Sequence, residues 1–248
     1  MSKYIKSIGA YTLMLQKVFK KPQKKAIFKD AIFREIEDLG LKSVGIVVFI
    51  SFFIGGVVAI QTALNLDDPI IPKDLIGFAT KRSMILEFSS TFIMVILAGK
   101  VGSYITSSIG TMRVTEQIDA LEVMGINSLN YLVLPKIIAT VFFYPFLVLL
   151  AMTLGIVGGW IAGVGTGLFE QSDYIAGIRI DFEPSLIQYS LIKSTVFAFL
   201  IATVPSYFGY YVKGGALEVG SASTKAVVWT IVLIITANYF LTQLLLAN

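Results

Sequence analysis

Four stretches of the sequence are long, apolar and free of charged residues, and they limit what this chain can fold into. They are residues 43–66, 137–169, 194–212 and 226–248. The hydrocarbon core of a bilayer is about 30 Å thick, and about 20 apolar residues of α-helix cross it. Each stretch is long enough for one crossing. The stretch at 137–169 is too short for two, so we interpret it as one long helix.

A fifth crossing is predicted over residues 83–106, although Glu87 and Lys100 interrupt it. Its segment "FSSTFIMVILAG" is too apolar for a loop, and the two charges can lie near the two membrane surfaces. We therefore predict an all-α polytopic membrane protein with a single domain over residues 1–248. The predicted transmembrane helices are 43–66, 83–106, 137–165, 190–212 and 226–246.

The composition agrees with this class and excludes several kinds of chemistry. Hydrophobic residues make up 56% of the chain and charged residues 15%, with a mean hydropathy of +0.80. Soluble domains have about 45–50% apolar and about 25% charged residues. Because the chain has neither His nor Cys, it cannot form disulfides, Cys/His metal sites or His-based triads. We predict no cofactor and no nucleic-acid partner.

The positions of the basic residues predict the orientation. If residues 1–42, 100–136 and 213–225 are cytoplasmic, these segments hold 15 of the 20 Lys and Arg residues, and the outer loops hold four. Cytoplasmic loops of membrane proteins carry an excess of Lys and Arg. The N-terminus is therefore predicted to be cytoplasmic and the C-terminus to lie outside.

The N-terminal segment "YIKSIGAYTLMLQKVF" is predicted to form an amphipathic helix in the membrane interface. Its apolar face would contain Ile8, Tyr11, Leu15 and Val18. The following "KKPQKK", with Pro22, would end the helix with a basic cluster suited to anionic headgroups. A solvated basic tail is the alternative.

Two rows of small residues predict close helix packing, either within the bundle or across a dimer. The first row is Gly155, Gly159, Gly163 and Gly167, and the second is Gly99, Ser103 and Ser107.

A short acidic segment, "GTMRVTEQIDALEVMGI" at residues 110–126, lies in the cytoplasmic loop between the second and third spans. Helical spacing predicts a separate helix, with Thr115 as its N-cap and Gly125 at its left-handed C-terminal position. Its apolar side would hold Val114, Ile118, Leu121 and Met124, and its acidic side Glu116, Asp119 and Glu122. Because the cytoplasmic leaflet is negative, the acidity favours a groove on a partner protein over lipid. An amphipathic linker packed on its own bundle is the alternative.

Several motifs resemble a known family. "LAGKVGSYITSSIGTMRVTEQIDALEVMGINSLNYLVLPKIIA" at 97–139 resembles the signature of MlaE/YrbE-type permeases of lipid-transporting ABC systems. The likeness continues in "LIKSTVFAFLIA" at 191–202 and "GYYVKGGALEVGSASTKAVVWTIVLIITANYFLT" at 209–242. It is weaker in "LGLKSVGIVVFISFFIGGVVAIQ" at 39–61.

This resemblance implies a bacterial inner-membrane homodimer, each subunit with an N-terminal interfacial helix and five transmembrane helices. It also implies that residues 111–125 form a coupling helix seated in a separate ABC ATPase subunit. The coupling residues would be Arg113, Glu116, Gln117, Asp119, Leu121, Glu122 and Met124. Further implied partners are an envelope-side MCE lipid-binding protein, an optional STAS-type subunit and phospholipids.

An intramembrane charge needs a partner or a role. Glu87 and Lys193 are predicted at comparable depth in the second and fourth spans, so a salt bridge between them is one interpretation. In the other, Lys193 extends to the surface and Glu87 pairs with Arg82 or water. The resemblance favours the Glu87–Lys193 pair, because members carry an acid and a lysine at the matching positions.

The chain departs from the family pattern at two places. Members commonly have Arg-Glu-Leu-Gly-Pro where this chain has Leu86-Glu87-Phe88-Ser89-Ser90, and usually Asp where it has Asn238. The resemblance also implies that the first and fifth spans line the lipid pathway. Gln61, Asn65 and Asn238 are the predicted polar residues of that pathway. For Gln61 and Asn65, a hydrogen bond between helices is the alternative role.

Two rival functions are weighed against the permease. The chain has no G-x-x-x-x-G-K-[ST] sequence, so it cannot bind ATP phosphates as a P-loop does. An ion-coupled secondary transporter or channel would need no ATPase, but no inverted repeat is visible. The second rival is an intramembrane enzyme, because Ser190 or Ser194 with Lys193 could imitate a Ser–Lys dyad. No second catalytic signal accompanies these residues.

Overall fold

The computed structural model describes residues 2–20, 25–66 and 72–246, and every regular element in those residues is a helix. Two π-helical segments, Ile36–Leu41 and Met84–Phe92, join α2 to α3 and α4 to α5. The ten α-helices described are α1 (Ser2–Val18), α2 (Lys25–Glu35), α3 (Lys42–Asn65), α4 (Asp74–Ser83), α5 (Ile93–Val114), α6 (Gln117–Val123), α7 (Ser128–Thr166), α8 (Gln171–Arg179), α9 (Pro184–Tyr210) and α10 (Ala216–Leu246).

Within the described residues, five helical segments are long and apolar enough to cross a membrane, which confirms the predicted number. They are Phe28–Asn65, Asp74–Val114, Ser128–Thr166, Pro184–Tyr210 and Ala216–Leu245. The apolar stretch at 137–169 lies almost entirely in the single helix α7, as predicted. Where the membrane begins and ends along each helix stays a prediction.

The chain divides into two compact units. The first contains Met1–Lys42, Val95–Phe143 and Val196–Ala237, and the second contains Ser43–Met94, Tyr144–Thr195 and Asn238–Asn248.

In the first unit, α1 packs on α9 through one side. The Tyr11 hydroxyl lies 2.7 Å from Thr203 Oγ1, and the Tyr11 ring meets Tyr207 edge-on at 5.8 Å. Met14 and Val18 are fully buried, whereas Ile8 is 67% exposed. The predicted apolar face of Ile8, Tyr11, Leu15 and Val18 is therefore divided between protein contact and exposure. Placement of α1 in the membrane interface stays a prediction, and Pro22 lies outside the described residues.

Side chains from α7 and the residues just before it hold the ends of the N-terminal helices. The Asn130 side-chain amide donates to the carbonyls of Val18 and Lys20 at 2.6 and 2.5 Å, so it binds carbonyls at the end of α1. Asn127 donates to the Lys17 carbonyl at 3.0 Å. Lys136 pairs with Glu35 at the end of α2 at 2.5 Å.

In the second unit, the predicted glycine row brings α3 and α7 into backbone contact. A Cβ atom on Gly55 would lie 1.8 Å from the Gly155 carbonyl oxygen, and one on Gly158 would lie 2.1 Å from that of Phe52. Only glycine permits such an approach. The row therefore packs within the chain as far as Gly163, and Gly167 instead takes a left-handed conformation (φ 72°) after α7.

Two helices that the sequence analysis did not predict, α4 and α8, cross at glycines in the same unit. A Cβ on Gly77 would lie 2.3 Å from the Tyr174 carbonyl oxygen, and one on Gly177 would lie 1.9 Å from that of Asp74. Tyr174 is fully buried, stacks on Phe169 at 5.1 Å and donates to the Ile156 carbonyl. The segments before the second span and after the third are therefore ordered parts of the unit.

Candidate functional site

The short helix α6, which was predicted to be cytoplasmic, is separated from α5 by a sharp backbone turn. Thr115 was predicted as its N-cap, and this is wrong, because its hydroxyl donates backwards to the Thr111 carbonyl at 2.9 Å. Glu116 holds the cap position in a left-handed conformation with φ 61° and makes no side-chain cap bond. A non-glycine residue in this conformation is uncommon and strained. Gly125 is left-handed (φ 74°) after α6, as predicted.

This turn divides the predicted apolar stripe of the helix. Val114 ends α5 instead of starting α6, and of the four predicted stripe residues Ile118 alone is fully buried. Met124 is 65% exposed and its neighbour Val123 is 89% exposed. One continuous helix over 111–125 was expected, and the left-handed Glu116 is the physical reason that it does not form.

Val123 and Met124, the exposed apolar residues at the end of α6, form what we call its apolar tip. The residues around this tip are polar or acidic and are also exposed. We define the α6 surface as the exposed residues Glu116, Gln117, Asp119, Val123 and Met124. Leu121 is half-buried and stands apart from this set. An exposed apolar tip with an acidic surround has the character of a protein-docking surface rather than of a lipid contact.

Glu122 connects α6 to the end of α9. Its Oε1 accepts hydrogen bonds from the Tyr210 hydroxyl at 2.8 Å and from the Ser128 hydroxyl at 2.9 Å. The Tyr210 and Ser128 hydroxyls are also 2.9 Å apart. The bonds from Tyr210 and Ser128 lower the pKa of the Glu122 carboxyl, so it stays ionised at neutral pH.

Arg113 adds a second connection at the same place. Its guanidinium donates to Asp119 at 2.6 Å, and its centre lies 5.9 Å from the centroid of the Tyr210 ring. Cation–π attraction acts within about 6 Å. The predicted coupling residues Arg113, Asp119 and Glu122 are therefore brought together around Tyr210, which the sequence analysis missed. Nothing in the sequence near α6 indicates a partner from α9.

Replacing Tyr210 by Phe is expected to loosen α6 without unfolding the bundle. Tyr210 is 8% exposed, and the change removes a hydrogen bond to a carboxylate. Because Glu122 is largely exposed, we expect a loss of about 1 kcal/mol, or about fivefold faster hydrogen exchange of the α6 amides. Tyr211→Phe, at the neighbouring exposed position, is the matched control. Unchanged exchange in Tyr210→Phe would show that Tyr210 does not hold α6.

The second site is a polar cluster in the second unit. Lys193 Nζ lies 3.0 Å from Glu87 Oε1, donates to the Leu86 carbonyl at 3.1 Å and lies 4.8 Å from the centroid of the Tyr189 ring. The Lys193 side chain is fully buried, whereas that of Glu87 is 44% exposed. Arg82 lies 3.9 Å from Asp181 instead of pairing with Glu87.

Two neutral side chains complete the cluster. The Thr91 hydroxyl donates to Glu87 Oε2 at 2.8 Å, and Asn238 Nδ2 donates to the same oxygen at 3.1 Å. Asn238 therefore contacts Glu87, a partner that the sequence analysis did not give it. Thr91 was missed, although its position four residues after Glu87 is a signal for contact on one helical face.

The π-helical segment Met84–Phe92 carries Glu87 and Thr91. Wider π turns displace backbone carbonyls from their usual α-helical partners and occur often at functional sites. Here the Ile85 carbonyl accepts from Ser190, and the Leu86 carbonyl accepts from Ser90 and Lys193. The segment thus provides acceptors for residues of α9.

The remaining candidates lie on α3 and α9. Gln61 and Asn65 are both exposed on α3. Ser190 and Ser194 donate to the carbonyls of Ile85 and Leu191, and Lys193 donates to Glu87. The serine–lysine hydrogen bond that a catalytic dyad requires is not among these contacts.

Comparison with known proteins gives consistent matches over most of the chain. Residues 32–244 match the model of the family described as Permease MlaE. A probable ABC transporter permease protein of Rickettsia prowazekii is 34% identical over 242 residues, which cover 98% of this chain and 93% of the relative. A probable ABC transporter permease protein of Synechocystis is 31% identical, covering 84% and 78%. The chloroplastic protein Trigalactosyldiacylglycerol 1 of Arabidopsis thaliana is 31% identical, covering 85% and 60%.

Proposed function

The chain belongs to the MlaE permease family, and from this premise we propose that it is the membrane-spanning subunit of an ABC transporter that moves phospholipid. In this proposal it is a non-catalytic subunit, and ATP is hydrolysed on a separate ATPase. An envelope-side MCE-type protein exchanges lipid with it, and an optional STAS-type subunit binds the ATPase. It works as a homodimer in the bacterial inner membrane, with the N-terminus cytoplasmic and the C-terminus periplasmic.

The α6 surface is the observation that carries this proposal. The helix lies between the second and third membrane-spanning segments and presents Val123 and Met124 outward. Its inner side is hydrogen-bonded to Tyr210, at the end of α9, which is the fourth membrane-spanning helix. A partner protein that binds the α6 surface and changes conformation when it binds or hydrolyses nucleotide would therefore act directly on a transmembrane helix.

The polar cluster supports a role in the lipid pathway. Glu87 is half-exposed and forms an ion pair with a fully buried lysine. Burying a charge in an apolar bundle costs free energy, so this ion pair indicates a functional role. The chloroplast relative, whose name contains a galactosylated diacylglycerol lipid, also supports a lipid cargo. Gln61, Asn65 and Asn238 stay proposed polar residues of this pathway.

The two departures from the family pattern offset each other in charge. An Arg at the position of Leu86 and an Asp at that of Asn238 would add one positive and one negative charge to the Glu87–Lys193 pair. This chain has neither, and its cluster is again neutral, with Asn238 as a hydrogen-bond donor to Glu87. The region of the missing Gly-Pro, Ser89 and Ser90, lies in the π-helical segment.

The test is to purify the full chain from its native membrane and identify what accompanies it. We expect a P-loop ATPase and bound phospholipid, and we expect a Cys introduced at Asp119 to react only with reagents that reach the cytoplasm. The chain has no other Cys, so labelling reports on this position alone. Labelling from the outside would overturn the orientation. Transport driven by an ion gradient, without an ATPase, would support a secondary transporter or channel instead.

A further inference from the structure

A cavity of about 730 Å³ lies in the first unit, and none of its lining residues belongs to α6 or to the polar cluster. It is lined by α1, the end of α9 and the first half of α10. Its walls are mainly apolar and include the aromatic side chains of Tyr11, Tyr207, Tyr211 and Trp229. A volume between about 300 and 1,000 Å³ with apolar walls is typical of a site for a small or amphiphilic ligand.

The rim of the cavity is charged. Lys213 and Lys225 line it and are both exposed. Glu218 lies there too, and its carboxylate accepts a hydrogen bond from the Gly215 backbone N–H at 2.9 Å. Two ammonium groups and one carboxylate leave the rim with a net positive charge, so it complements an anion.

Aromatic walls below a basic rim match the two parts of a lipid. Tyr and Trp are enriched where headgroups meet acyl chains, and basic pockets between transmembrane helices on the cytoplasmic side bind anionic headgroups. Only 11% of the most apolar stretch of α10 is buried within the chain. An acyl chain can therefore reach the walls from the side of α10.

We propose that this cavity binds one anionic phospholipid of the inner leaflet, with its headgroup on Lys213 and Lys225 and an acyl chain against Tyr207 and Trp229. The inference rests on the proposed orientation, which places this end of α10 at the cytoplasmic surface. It assigns the lipid a resident position between α1, α9 and α10 in the first unit.

The two tryptophans of the chain, Trp160 and Trp229, make a direct test feasible. Trp160 Nε1 is buried without a hydrogen-bond partner, so Trp160→Phe leaves Trp229 as the one reporter at little cost. This variant of the full chain is placed in phosphatidylcholine nanodiscs that contain either dibrominated phosphatidylglycerol or dibrominated phosphatidylcholine. We expect phosphatidylglycerol to quench Trp229 with an affinity about fivefold higher, because two lysines and one acid give a net effect of about one basic residue.

Matched variants separate a built site from general surface charge. Lys213→Gln with Lys225→Gln is expected to abolish the fivefold preference and, because Glu218 remains on the rim, to bring the affinity ratio below one. Lys17→Gln with Lys29→Gln removes two exposed lysines elsewhere on the predicted cytoplasmic side and should leave the preference unchanged. Ser221→Phe narrows the cavity and should remove the preference although both rim lysines are present.

Three results would overturn the proposal. They are equal quenching by both lipids in the Trp160→Phe chain, a preference that survives loss of Lys213 and Lys225, and no quenching by either lipid. The last would mean that protein, such as a second copy of the chain, covers the cavity. ATPase association is measured on the same samples. Its loss would contradict the proposed function, whereas loss of lipid preference alone would contradict only the lipid site.

Discussion

A chain carrying Glu116→Lys and Val123→Asp is expected to lose its ATPase partner on purification and to stay folded. The first change reverses a charge on the α6 surface, and the second places a charge on its apolar tip. Val123 is 89% exposed, so the substitution removes almost no internal packing. The few hot-spot residues at the centre of an interface contribute about 2 kcal/mol or more each, and we expect the α6 surface to include such residues. We therefore expect at least about a hundredfold weaker binding, measured by titrating purified ATPase onto the reconstituted permease.

The control for this pair is Leu217→Asp, which places the same charge at a position that is 88% exposed after α9. It should bind the ATPase normally. Val123 is chosen over Leu121 because Leu121 is half-buried, and a charge there would also disturb folding. Normal ATPase binding by the double variant, with α6 still helical by hydrogen exchange, would mean that α6 is only a packed linker.

The second large effect concerns Glu87 and Lys193. The structure predicts how three variants of this pair rank in their free energy of unfolding. Glu87→Gln leaves a fully buried ammonium without its carboxylate, which we expect to cost about 2–3 kcal/mol. Lys193→Met removes the buried charge and leaves Glu87 half-exposed, with Thr91 and Asn238 still donating to it, so the cost should be about 1 kcal/mol. The double variant should resemble Lys193→Met in stability. Chemical unfolding in detergent measures the order.

Lipid transfer should fall in all three variants, including the two that are nearly as stable as the parent. Arg82→Gln is the matched control, because it breaks an exposed pair with Asp181 at 3.9 Å and should cost less than 1 kcal/mol. Full-rate transfer by Lys193→Met would show that the pair only stabilises the bundle. A Glu87→Gln variant as stable as the parent would contradict the burial argument itself.

The number of spans could be predicted because the requirement for about 20 apolar residues acts on each helix separately. The glycine row on α7 could be predicted for a similar reason, since small residues four apart share one face. The helices α4 and α8 could not, because their sequences are short and mixed. Their stability comes from the crossing at Gly77 and Gly177, which no local pattern reveals.

The contacts of the candidate site also divide into those that could be predicted from the sequence and those that could not. Depth along two spans was enough to suggest the Glu87–Lys193 contact, because a buried charge restricts its own partners. The contact of Glu122 with Tyr210 joins residues 88 positions apart, and neither residue is unusual in its local sequence. The left-handed Glu116 was missed because such a turn usually has glycine or asparagine, and this sequence has neither there.

The attachment of α1 has a practical consequence for handling the protein. Asn130 holds carbonyls at the end of this helix, and Tyr11 is bonded into α9. Removing the residues before residue 25 would take four hydrogen-bond partners from the bundle, namely three backbone carbonyls and the Tyr11 hydroxyl, and would uncover Tyr207. A shortened variant of the chain should therefore keep α1 whole.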